Sequence, residues 1–145
     1  MENKSEKLDE LGKLLIDTLK NETLYWFNLK CTGEGIQSSD RIAHRDLSAL
    51  PTETVDIIKD AVNEVVSSSI VRLLGRLWEN WEDEEGISLL VDGENVFDID
   101  DDVRMKFFGE NGWDARFSNY PSYGQLIVKY DKWYNKLRRE GQIED

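Results

Sequence analysis

Asp98, Asp100, Asp101 and Asp102 crowd one short stretch of the chain. Clustered carboxylates are oxygen ligands for hard cations such as calcium and magnesium. On a strand, Asp98, Asp100 and Asp102 would share one face. The order of residues does not follow a calcium-binding EF-hand loop, because the glycine and the closing glutamate are missing. Asp101 or Asp102 can equally cap a following helical segment, Val103–Phe108. A divalent-metal-binding protein, or a small metal-dependent enzyme, is therefore the alternative reading of these residues. The remaining chemistry is sparse. Cys31 is the only cysteine and His44 the only histidine. A thiol–imidazole pair would have to use both, and no nucleophile motif surrounds either. The His44-Arg45-Asp46 string lacks every companion of a kinase catalytic loop. Zinc would need more cysteine or histidine ligands, and no phosphate-binding glycine loop occurs. No catalytic residue, no resident metal and no cofactor is assigned, and a protein that is not an enzyme is expected.

The aspartates belong to a longer acidic block. Residues 78–103, WENWEDEEGISLLVDGENVFDIDDDV, hold eleven carboxylates and no lysine or arginine. The formal net charge is −12. Residues 77–103 contribute −11 of it, residues 1–76 contribute −3, and residues 104–145 contribute +2. A chain so charged repels nucleic acid and anionic membranes, so neither is expected as a partner. A basic protein partner fits better, since complementary charge steers association. Trp78 and Trp81 sit beside the acids, and tryptophan is enriched at binding hot spots. The expected partner-binding residues are Trp78, Trp81, Glu82, Asp83, Glu84, Glu85, Asp92, Glu94, Asp98, Asp100, Asp101 and Asp102. A charged N-terminus without an apolar run, a single thiol and the lack of a membrane-length apolar stretch lead to the expectation of a cytoplasmic protein.

Which elements place these residues follows from periodicity. The length of 145 residues fits one domain. Leu8, Leu11, Leu15 and Leu19, widened by Leu14 and Ile16, predict a first amphipathic helix. Residues 23–31, TLYWFNLKC, read as either a short helix or a buried strand. Residues 32–47 read as a loop around Gly33 and Gly35. Pro51 opens the clearest element, with Thr52 or Ser48 as cap. Val55, Ile58, Val62, Val65, Ser69, Leu73, Leu77 and Trp81 then predict one helix over about 52–84. It would be about 50 Å long, against a globule diameter of around 38 Å. Such a helix overruns the globule, bends near Ser67-Ser68-Ser69, or packs against a second copy. A homodimer through this helix, as in a self-associating structural protein, is a third reading. Asp92-Gly93 predicts a tight turn in a β-hairpin over about 87–98. A third strand is sought from residues 104–108 or 23–31, because an isolated hairpin is marginal. Leu126, Ile127, Tyr130, Trp133, Tyr134 and Leu137 predict a last helix over about 124–139. The fold class is α+β, mostly helical.

Between the hairpin and the last helix stands GENGWDARFSNY. Gly112, Trp113, Arg116, Phe117, Ser118 and Tyr120 form a Gly-Trp-x-x-(Arg/Lys)-(Phe/Tyr)-Ser-x-Tyr element. The stretch 52–120 resembles an uncharacterised family of small bacterial proteins that end in this element. The resemblance carries over no catalytic residue. In general type the chain is similar to the small acidic immunity proteins of bacterial toxin systems, which neutralise basic nucleases. It implies a protein-interaction domain, an immunity protein or inhibitor that masks a basic surface of a toxin or other partner.

Overall fold

The fold was analysed in a computed structural model, which describes residues 3–144. Asn3 caps the first helix by accepting a hydrogen bond from the Ser5 amide at 3.2 Å. Helix α1 (Lys4–Leu15) passes without a break into a π-helical turn, Ile16–Asn21, and on into α2 (Glu22–Thr32). The wider π turn holds an extra residue, and this resets the phase of the apolar face. Leu8, Leu11, Ile16 and Leu24 are buried. Leu14 and Leu19, expected inside, are exposed, and Lys20 takes the inward place. Residues 23–31 are thus helical, and α2 stops at Gly33, whose φ of 81° suits a residue without a side chain.

Residues 38–47, expected as loop, belong to helix α3 (Ser38–Ser48). Its composition is mostly polar. Asp40 builds its start by accepting from the Gln37 amide at 3.1 Å, while Lys30 of α2 bonds the same carboxylate. His44 Nδ1 lies 3.0 Å from the carbonyl of Cys31 and ties α3 to α2.

Helix α4 (Thr52–Glu82) is continuous through all three serines. Its 31 residues span about 46 Å at about 1.5 Å per residue. Pro51 holds the N-cap position, with no side-chain cap from Ser48 or Thr52. The buried face is Asn63, Ser67, Ile70 and Leu74. Val65 and Leu73, expected inside, are exposed. The face is rotated because polar side chains occupy it: Ser67 Oγ donates to Asn63 Oδ1 at 3.2 Å, and Asn63 Nδ2 donates to the Pro121 carbonyl at 2.9 Å.

The hairpin pairs β1 (Leu90–Val91) with β2 (Glu94–Asn95), Leu90 opposite Asn95 and Val91 opposite Glu94. Asp92 and Gly93 both have positive φ, 51° and 83°, as a type I′ turn requires. The strands are shorter than expected, and among the described residues no third strand joins them. Asn95 instead caps a one-turn helix, α5 (Val96–Ile99), by accepting from the Phe97 amide at 3.0 Å. A 3-10 turn (Val103–Phe107), helix α6 (Trp113–Phe117) and helix α7 (Tyr123–Arg139) follow. Ser122 and Gln125 form a reciprocal capping box at the start of α7.

The core gathers Leu8, Leu11 and Ile16 from the N-terminal helix, Ile70 and Leu74 from α4, and Val96, Phe97, Val103, Phe107 and Trp113 from the C-terminal half. The acidic block is therefore pinned from beneath by its own apolar residues. The fold is α+β and mostly helical. Among the described residues no helix is long and apolar enough to cross a membrane.

Candidate functional site

The acidic block begins where α4 ends. The Glu85 amide donates to the Asn80 carbonyl at 3.0 Å and the Glu84 amide to the Trp81 carbonyl at 3.2 Å. This closure puts Glu84 in the left-handed region, φ 54°, a conformation that normally belongs to glycine. Glu82, Asp83, Glu84 and Glu85 all stand exposed at this terminus, and the last turn of α4 holds no base. Helix C-termini carry partial negative charge and favour cations. Both the backbone strain and the acids oppose local stability at one place.

Bases from outside the block reach part of it. Lys4 pairs with Glu94 at 3.2 Å, Lys7 with Asp92 at 2.7 Å, and Lys106 with Asp100 at 3.2 Å. Arg76 takes Glu79 at 2.7 Å. Among the described residues, Glu82, Asp83, Glu84, Glu85, Asp101 and Asp102 have no such pair. Four of the eleven acids are thus paired, and of the seven without a base among the described residues six lie at residues 82–85 and 101–102.

The two tryptophans face inward. Trp78 packs at the core edge, and the Arg104 guanidinium covers its ring at 5.2 Å. Trp81 packs on Phe97 with ring centroids 6.0 Å apart, and its Nε1–H donates to Asp98 Oδ1 at 2.8 Å. Trp81 also borders an open cleft of about 610 Å³, together with Glu82, Glu84, Glu85, Asn95 and Asp98. The remaining expected residues, Trp78, Asp83, Asp92, Glu94, Asp100, Asp101 and Asp102, do not border it.

The expected shared face of Asp98, Asp100 and Asp102 does not form. Asp98 sits on α5, Asp100 is extended, and Asp102 precedes the 3-10 turn. Asp100 Oδ1 accepts from the Asp102 amide at 3.0 Å. Among the described residues no three carboxylate, imidazole or thiol groups converge as metal ligands. Asp102 starts the 3-10 turn through its carbonyl, which accepts from the Met105 amide at 2.9 Å, and not through its side chain. Burial pushes the pKa of the Cys31 thiol up, which disfavours the thiolate.

A second polar cluster carries no sequence signal of charge excess. The Lys20 side chain is fully buried and bonds Asp114, and its ammonium also donates to the Pro121 carbonyl at 3.1 Å. The other Asp114 oxygen accepts from the Tyr123 amide at 2.6 Å. Burial lowers the Lys20 pKa, and the hydrogen bond that its ammonium donates to Asp114 opposes that fall. Asn21 completes the cluster by donating to the Phe117 carbonyl at 2.9 Å and accepting from the Asn119 amide at 2.8 Å. The residues of the Gly-Trp element work beside it. Trp113 is buried and donates to Asp9 at 3.1 Å. Arg116 grips the same carboxylate with two nitrogens, at 3.0 and 2.5 Å, and holds the Asp9 pKa below the usual carboxylate range. Ser118 Oγ bridges the backbone of Tyr120. These groups fasten α1 and the π turn to α6 and α7.

Comparison with protein-family models, curated proteins and solved structures found no match to this chain. The site therefore speaks through its own geometry. An exposed row of acids at a helix terminus, beside a tryptophan-walled cleft, attracts cationic groups.

Proposed function

We propose that this chain is a cytoplasmic protein-interaction domain of the bacterial immunity-protein or inhibitor type, which masks a basic surface of a protein partner. The observation that carries the reading is the end of α4. Four consecutive acids stand there, exposed and, among the described residues, without base partners, at the helix terminus that electrostatics favours least. A non-glycine residue is also held in the left-handed region within this row. Local costs gathered at one exposed place are the usual mark of a functional surface. A lysine or arginine of the partner entering the cleft beside Trp81 would meet an aromatic wall and the carboxylates of Glu82, Glu84, Glu85 and Asp98.

The test is parallel affinity capture from lysate of the native host. One bait is the wild type, and the other carries Glu82→Gln, Asp83→Asn, Glu84→Gln and Glu85→Gln. The expected result is a basic protein held by the wild type, released as salt rises, and lost from the neutralised bait. Equal capture by both baits would overturn the reading.

A further inference from the structure

Helix α7 presents a second charged surface of opposite sign. It buries Leu126 and half-buries Tyr130, Trp133 and Leu137. On its far side Lys132, Lys136 and Arg139 fall within about 60° of arc, at about 100° per residue. All three are exposed. The Arg139 Nε donates only to the Asn135 carbonyl, at 3.2 Å. Among the described residues none of the three has a carboxylate partner.

This stripe and the acidic row are far apart within one molecule. The start of α7 meets α4 at Asn63, through the Pro121 carbonyl. Further along α7, Tyr130 donates to Asp60 at 2.9 Å, and Lys129 bonds the same carboxylate. The contact steps from Asn63 back to Asp60, so α7 advances away from the acidic end. Along α4, Asp60 and Glu82 are separated by about 33 Å at about 1.5 Å per residue. The screening length is about 10 Å in 0.1 M salt. The two surfaces neither touch nor sense each other in one copy.

We infer that Lys132, Lys136 and Arg139 of α7 form a docking surface for the Glu82–Glu85 row of a second copy of this chain. The occupant is chosen by charge complementarity: the chain itself carries an exposed acidic row that no base among the described residues satisfies. The net charge of −12 opposes association at long range, but 0.1 M salt screens repulsion between distant groups while groups in contact still attract. The two surfaces differ, so the contact is head-to-tail and grows into chains or closes into a ring. A basic partner bound at the acidic row would displace the second copy.

Sedimentation velocity on the full chain tests this, in 0.1 M and 1 M salt and over a hundredfold range of concentration. In 0.1 M salt the mass is expected to rise above 16.9 kDa with concentration, and in 1 M salt the association is expected to weaken at least about tenfold. The variant Lys132→Glu/Lys136→Glu/Arg139→Glu should remain monomeric, as should Glu82→Lys/Asp83→Lys/Glu84→Lys/Glu85→Lys. Mixed together, the two should associate again, because the intact surfaces meet and the two reversed surfaces are complementary as well. Circular dichroism of each variant, and the milder Lys132→Gln/Lys136→Gln/Arg139→Gln, separate lost docking from lost folding. A wild type that stays monomeric throughout, or an α7 variant that associates as well as the wild type, overturns the inference. The α7 variants leave the acidic row intact, so capture of a basic partner by them is read independently.

Discussion

Trp113 covers the backbone of Gly12 so closely that a Cβ added there would enter the indole ring. The two residues lie on α6 and α1, and Asp9 reinforces the contact by accepting from the same indole. Glycine is a poor helix residue, costing about 1 kcal/mol against alanine. Its presence in α1 is explained by this approach and not by helix formation. Gly12→Ala is expected to destabilise the protein by about 1–3 kcal/mol, as overpacking does. Gly75 in α4 has nothing within 4 Å of the same added atom. Gly75→Ala is expected to stabilise by about 0.5–1 kcal/mol. Urea denaturation of the two variants gives opposite signs if the packing is as described.

The buried Lys20–Asp114 pair gives a second prediction. Lys20→Met leaves a carboxylate buried with only the Tyr123 amide in place, and a cost of about 3–5 kcal/mol is expected. Adding Asp114→Asn removes the stranded charge and keeps an oxygen for the Tyr123 amide. The double variant should recover a large part of the loss. A double variant no more stable than Lys20→Met would show that the charge on Asp114 is not what makes the single change costly.

Tyr130 provides a spectroscopic marker for the contact between α4 and α7. Burial, and then its hydrogen bond to Asp60, push its pKa up to about 12. An unfolded phenol ionises near pH 10, so the folded state holds this proton more tightly. The associated stability is fully present below about pH 10 and is lost as pH rises towards about 12. Ultraviolet titration should show a phenol ionising at about 12, and Asp60→Asn should lower that value. No change in Asp60→Asn would separate the shift from the hydrogen bond.

Glu84 offers the sharpest link between stability and binding. At φ 54° a side chain is strained, by roughly 1 kcal/mol or more, and glycine is not. Glu84→Gly is expected to raise stability by about 1 kcal/mol in urea denaturation. The same change removes an acid from the exposed row, so it should weaken capture of a basic partner. A variant that gains stability and binds equally well would remove Glu84 from the interaction surface.

Legibility in the sequence followed the physics of each element. The Asp92-Gly93 turn was readable because positive φ at two adjacent positions restricts residue choice so strongly. The bounds of α4 and α7 were readable from long apolar repeats. The face of α4 was not, because Asn63 and Ser67 lie inward and are satisfied by partners 58 residues and 4 residues away. Periodicity of apolar residues cannot register such a stripe. Leu14 and Leu19 misled for a related reason, since a π turn changes the phase without any marker residue. Helix α3 was hidden by its polar composition. At the acidic block, the sequence located the carboxylates but not the lysines that answer them, because Lys4, Lys7 and Lys106 arrive through tertiary contacts. The tryptophans were legible as aromatic mass and not as direction: both turn towards the core, and only Trp81 also borders the cleft.

The clamp between the two ends of the chain has a consequence for synthesis. Lys20 meets Pro121 across 101 positions, and Asp9 meets Arg116 across 107. A ribosome adds roughly 5–20 residues per second, so the N-terminal helix waits on the order of 5–20 s for its anchors to be made. During that interval the Lys20 ammonium has no carboxylate to enter the interior with, and Gly12 has no indole over it. Docking of the N-terminal third is thus a late event on the nascent chain, and a product that stalls before Trp113 cannot complete it.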